Sequence, residues 1–155
     1  MSEDTKIIID DDMDEVGEIE VEKERFLTFR SADLTFAVNT KYVIEIITNH
    51  SITTLPMVPE YIKGIINLRG QIIPIVDIRL RLGKAPQDNF CGIVVDVDGN
   101  MVGILVDMVE QMVDVPLGDI LPVPTNSGQA MVSGMCTLPD GNTMLELDCG
   151  LLLHD

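Results

Sequence analysis

The chain has 155 residues, 46% of them apolar, and a formal charge of -16 at pH 7. A chain of that length buries roughly two-thirds of its unfolded surface, enough for a hydrophobic core without disulfide or metal staples. The acidity disfavours nucleic acid and anionic lipid as partners, because both need clustered Lys and Arg, and no apolar run approaches the roughly 20 residues of a membrane-crossing helix.

Residues 1–24 carry 11 acids against two lysines and one apolar patch, Ile7-Ile8-Ile9, without helical periodicity. Such a stretch predicts a mostly disordered acidic tail. Asp10, Asp12 and Asp14 alternate as in a calcium loop, yet Glu15 stands where that loop needs Gly and Val21 where it needs Glu, so no calcium site is expected. The opening Met-Ser-Glu-Asp lacks a basic region before an apolar stretch, which points to the cytoplasm.

Short strands separated by turn residues follow, at 25–30, 34–38, 42–47, 64–69, 71–76, 90–97, 101–106, 108–113, 131–138 and 143–147. Ten such segments predict an all-β chain. Helical pieces are expected only at 59–63, 77–82 and 148–152, and the Pro- and Gly-rich run 116–128 as a long surface loop.

An internal repeat organises these strands. Ile62-x-Gly64, Gly70 and Asp77 match Val132-x-Gly134, Gly141 and Asp148, and the second hairpin has one more residue before its turn. Upstream, Leu34-Thr35-Phe36-Ala37-Val38 parallels Val102-Gly103-Ile104-Leu105-Val106, and Tyr42-Val43-Ile44-Glu45-Ile46-Ile47 parallels Met108-Val109-Glu110-Gln111-Met112-Val113. Two copies of one five-strand plan predict two small barrels packed together, since closure removes exposed edges. The boundaries expected from the repeat are about 25–83 and 90–147, followed by a helical turn at about 148–153.

Few residues suggest chemistry. Cys91, Cys136 and Cys149 lack Cys-x-x-Cys spacing and are expected as small buried hydrophobes, while His50 and His154 stand isolated. Six of nine methionines lie in the second half and are expected mostly in the core. The run Ile93-Val94-Val95-Asp96-Val97-Asp98-Gly99-Asn100 resembles the nucleophile motif of magnesium-dependent haloacid-dehalogenase-type phosphatases, with Asp96 as nucleophile. Met101 to Val106 continue as a strand, however, so a hairpin turn at Asp98-Gly99 or Gly99-Asn100 is the preferred reading. No catalytic residue, cofactor or metal is therefore expected.

Arg69 is different. It stands at the tip of the apolar hairpin Gly64-Ile65-Ile66-Asn67-Leu68-Arg69-Gly70-Gln71-Ile72-Ile73-Pro74-Ile75-Val76-Asp77, where Gly70 supplies the turn, while the other half has Pro139-Asp140-Gly141. The hairpin plan does not require an arginine, and a planar fork of five donors suits an acidic neighbour or a partner.

This hairpin, with Asn67, Leu68, Gly70, Pro74 and Asp77 as motif positions, closely resembles the chemotaxis coupling protein family CheW over residues 25 to about 153. The resemblance implies two Src-homology-3-like barrels and a non-catalytic adaptor that joins the cytoplasmic tip of a chemoreceptor to the regulatory domain of a CheA-type histidine kinase. It implies receptor contacts at Val43, Glu45, Gly64, Arg69 and Gly103, with Cys91 and Met112 as further groove residues, and Glu45 as the partner of Arg69. The glycines would allow a receptor helix to approach a groove between the barrels closely. A coupling protein of a chemosensory-like system not concerned with motility is the alternative within the same class.

Overall fold

The computed structural model describes residues 21–86, 90–123 and 131–153, so most of the acidic tail, with its isoleucine patch and alternating aspartates, lies outside the described residues. All ten predicted strands form, each end within three residues of its expected place. They are β1 Lys23–Ser31, β2 Leu34–Asn39, β3 Val43–Thr48, β4 Ile62–Leu68, β5 Gln71–Asp77, β6 Cys91–Val97, β7 Asn100–Leu105, β8 Met108–Pro116, β10 Val132–Thr137 and β11 Thr143–Leu147. An eleventh, β9 Leu121–Pro122, falls inside the segment expected as a loop. The tail ends earlier than expected, because Lys23 and Glu24 already pair with Pro116 and Val115.

The four-residue helix α1, Ile78–Arg81, begins where predicted, with the buried Asp77 carboxylate accepting the Arg79 N–H (2.9 Å) as its N-cap. Asp148 does the same for Gly150 (3.0 Å) at the 3₁₀ turn Cys149–Leu151. The helix expected at 59–63 does not form. Ile62 N–H closes a turn on Pro59 O (3.0 Å), and Ile62 is drawn into β4 by its pairing with Val76.

Strand order corrects the expected barrel boundaries. One sheet runs β9-β10-β11-β2-β1-β8 and the other β3-β6-β7-β5-β4. The first two strands of each half thus complete the barrel made by the last strands of the other half. The parallel neighbours explain the exchange: β11 lies along β2 (Met144 opposite Thr35) and β5 along β7 (Ile75 opposite Gly103). Parallel pairing needs a long crossover: between β2 and β11 the chain traverses the whole five-stranded sheet, and between β5 and β7 it runs through α1 and β6. Neither 25–83 nor 90–147 contains a whole barrel.

Three apolar cores follow. Ile47, Ile66, Ile73, Ile75, Val94 and Leu105 fill the five-stranded barrel, and Phe26, Ala37, Val115, Cys136 and Met144 fill the six-stranded one. The largest lies between the sheets, where Leu27, Phe29, Phe36 and Val38 meet Ile93, Val95, Ile104 and Val106. Strands β2, β6 and β7 are therefore buried on both faces, which is why Phe36-Ala37-Val38 and Ile93-Val94-Val95 are unbroken apolar runs instead of alternating ones. Of the second-half methionines expected in the core, Met131 and Met144 are buried and Met101 is partly buried, but Met108, Met112 and Met135 are exposed. Cys136 and Cys149 are buried, Cys91 is half-buried, and all three are free. Burial first, then nearby Asp148 and Glu146, pushes the Cys149 thiol up to about 12, so it is inert as a nucleophile.

One ion pair pins the passage from one barrel to the other. Asp107, between β7 and β8, accepts Arg79 Nε and Nη2 (both 2.8 Å) and the Ala32 N–H (3.1 Å), tying α1 to the β1–β2 turn. The Arg79 hydrogen bond, aided by Ala32 and opposed by burial, holds the Asp107 carboxyl below its usual range. A carboxyl depressed in the folded state stabilises above its unfolded pKa, and that contribution is lost as pH falls through the folded one. Asp107→Asn should therefore lower the melting temperature at pH 7, and the gap to the parent protein should close below about pH 4. Melts at both pH values check this; an undiminished gap in acid would remove the ionised pair as the cause.

Candidate functional site

The β4–β5 hairpin reverses through Arg69 and Gly70, both at positive φ (51° and 87°), and Asn67 Oδ1 accepts the Gly70 N–H (2.9 Å). The β6–β7 hairpin uses the same device. Asp98 and Gly99 have φ of 54° and 86°, and Asp96 Oδ1 accepts the Gly99 N–H (2.9 Å). The Asp96 carboxylate is thus a turn former, and the run from Ile93 to Asn100 makes the hairpin turn that the sequence favoured. Leu68, beside the tip, is a core residue of the five-stranded barrel.

What distinguishes the Arg69 hairpin is the reach of its side chain. Arg69 Nη2 donates to Glu45 Oε1, the expected partner. Glu45 sits on β3 and Arg69 follows β4, the two opposite edges of the five-stranded sheet, so the pair spans the seam where the barrel closes. The segment between these strands seals β4 as well: Thr53 N–H donates to Ile65 O (2.8 Å) and Ile65 N–H to Thr53 O (2.9 Å). With the arginine side chain 69% exposed and the glutamate 29%, the pair is worth only about 0–1 kcal/mol to the fold. Its consequence is geometric, since it holds a guanidinium upright at the seam.

The structure gives two predicted contact residues another role. Gly64 is buried at φ 153°, at a bulge in β4, and a Cβ there would strike the Thr53 carbonyl oxygen and lie 2.7 Å from Ile52 Cγ2. The close approach it permits is that of its own chain. Gly134, its counterpart, also sits at a bulge, where a Cβ would come within 2.9 Å of Ile120 Cγ2. Gly103 is buried too, and a Cβ would collide with Ile75 Cδ1 inside the barrel.

The other predicted residues do not form one cluster. Val43 and Cys91 are half-buried and pack on the core between the sheets. Met112 is exposed on β8, in the other sheet from Arg69. The open groove of about 670 Å³ lies elsewhere, where β5 and the β6–β7 turn face Cys149, Gly150 and Leu153, which follow β11 of the six-stranded sheet. Ile72, 59% exposed, Leu153, 43% exposed, Met101 and Pro74 give it an apolar lining, with Gln71, Asp98 and Asn100 at hand for hydrogen bonds. Of the predicted residues only Pro74 lines it, although Gln71 begins two residues after Arg69. Ile72 is not among the predicted residues, yet the pleat announces it: Ile73 points into the barrel, so an apolar residue at 72 must face outward.

Among the described residues no cluster of His, Cys, Asp or Glu is placed to hold a metal ion, and no helix is long and apolar enough to cross a membrane. The site offers an apolar groove and a charged seam.

Comparison with known proteins agrees with this architecture. The family model described as the CheW-like domain matches residues 25–155. The chain belongs to the CheW family. The chemotaxis protein CheW of Rhizobium meliloti is 43% identical over 101 residues, 63% of this chain and 65% of that protein. Protein FrzA of Myxococcus xanthus is 32% identical over 111 residues, 70% of this chain and 69% of its own length. The crystal structure of the scaffolding protein TtCheW from Thermoanaerobacter tengcongensis superposes with a TM-score of 0.79 at 28% identity, covering 86% of this chain and 94% of that one. The two packed sheets are the two Src-homology-3-like barrels of CheW, and the strand exchange is part of how this CheW-family chain makes them.

Proposed function

We propose that this chain is a non-catalytic chemotaxis scaffold that couples the cytoplasmic tip of a chemoreceptor to a CheA-type histidine kinase. The match of residues 25–155 to the CheW-like domain carries the reading. The groove between the barrels supports it in kind: exposed Ile72 and Leu153 offer aliphatic surface to a helical hairpin, and helix-in-groove docking draws its affinity from such burial. Arg69, fixed by Glu45 near one end of the groove, would orient the incoming helix and contribute little to the fold. The kinase would engage a barrel end.

Arg69→Ala is expected to reduce co-sedimentation with chemoreceptor-bearing membranes at least tenfold, while the melting temperature moves by less than about 3 °C. Normal binding together with a large fall in melting temperature would reverse that assignment. A pull-down that recovers receptor and kinase together tests the coupling itself, and recovery of neither would sink the reading.

A further inference from the structure

In the five-stranded barrel the seam between β3 and the β4–β5 turn is closed by Arg69 on Glu45. The internal repeat places Asp140 of the β10–β11 turn where Arg69 stands and Gln111 of β8 where Glu45 stands. There the six-stranded barrel has a cavity of about 220 Å³, lined by Thr28, Arg30, Glu110, Gln111, Asp140 and Asn142 among others. That is room for roughly seven waters at about 30 Å³ each, or for one long side chain. The counterpart of Thr28 in the closed barrel is Val94, sealed in the apolar interior. Here the Thr28 hydroxyl donates to Gln111 O (3.0 Å) and accepts the Gln111 N–H (3.2 Å), so the cavity floor is polar and already satisfied.

Above that floor Glu110 and Asp140 are exposed to water and Arg30 is half-buried. Asp140 Oδ1 accepts the Asn142 N–H (2.9 Å), but neither Asp140, Glu110 nor Arg30 makes an ion pair among the described residues. Two carboxylates against one guanidinium leave the lining net negative. Side-chain carbonyls at Gln111 and Asn142 add neutral acceptors, and a second guanidinium, with its five planar donors, matches that set.

We propose that this seam receives an arginine side chain from a partner protein, which would do between molecules what Arg69 does within the chain. The exposed, flexible Met108 and Met112 on the same strand as Glu110 would pack against the aliphatic part of the segment that presents it. The site is separate from the groove between the barrels and does not depend on the identity of the receptor.

N-acetyl-arginine amide titrated into the full chain, followed by amide NMR shifts, tests the proposal. Saturable shifts are expected at Glu110, Gln111, Asp140 and Asn142, with affinity at least tenfold weaker when Glu110→Gln and Asp140→Asn are combined. Asp140→Arg places a guanidinium in the seam from within; it should raise the melting temperature and abolish the response to the probe. No saturable shift in the parent chain would overturn the proposal. So would an equal response to acetate centred on Arg30, which would make the cavity an anion site, or a probe response that survives Asp140→Arg.

Discussion

Gly64→Ala is expected to destabilise the five-stranded barrel, and to do so whether or not a partner is bound. At most positions an alanine in place of glycine stabilises by about 0.4–1 kcal/mol, because the unfolded chain becomes stiffer. At φ 153° the sign reverses, since an L side chain rarely adopts that conformation, and the new methyl would meet backbone: the Thr53 carbonyl oxygen, with its carbon 2.8 Å away. Backbone cannot rotate aside as a side-chain end can, so either the bulge at Ile62/Gly64 or the Thr53–Ile65 pairing must yield. A cost of about 3 kcal/mol follows from strain and collision together. For a domain of this size that is a fall of about 10 °C in melting temperature, with a matching loss of urea midpoint. Gly70→Ala is the control: φ is 87° there, but nothing lies within 4 Å of the new Cβ, so only the strain is felt and the fall should be about half as large. An unchanged midpoint for Gly64→Ala with partner binding lost would restore Gly64 to the binding surface.

The internal repeat carries the same answer. Gly64 and Gly134 occupy the same place in both halves, as Gly70 and Gly141 do, and what both halves share belongs to the barrel. What differs between the halves, Arg69 against Asp140, is where the chain specialised. Strands were legible because turn residues delimit short apolar runs, and the helical piece expected at 77–82 because leucines and arginines follow Asp77 without a turn residue; that Asp77 caps this helix is seen only in the structure. The exchange of strands between barrels was not legible, because a repeat shows that two segments share a plan and says nothing of which copy supplies a neighbouring strand. The same blindness hid the Arg79–Asp107 clamp, whose partners are 28 residues apart and meet only because the chain crosses between barrels at that point. The outward methionines escape prediction for a simpler reason: Met108, Glu110 and Met112 share the edge strand β8, and composition alone does not separate its faces.

Ile72→Glu should separate binding from folding most cleanly. The side chain is 59% exposed on the outer face of β5, pairs opposite Asn67, and leaves the barrel interior to Ile73, so replacing it should barely move the melting temperature. Docking a helical hairpin into the groove would place the new carboxylate against apolar surface with no cation among the groove residues to receive it. Desolvating a charge without a partner costs several kcal/mol, which predicts at least a thirtyfold loss of affinity for receptor-bearing membranes. Leu153→Glu, on the opposite wall, should act in the same direction through a residue that reaches the groove from the other barrel. A groove formed jointly by both barrels makes the two substitutions redundant, so the double variant should bind little worse than the weaker single one, in contrast to the additivity of independent sites. If both bind normally while Arg69→Ala does not, the partner rests on the seam of the five-stranded barrel and the groove between the barrels is left without this role.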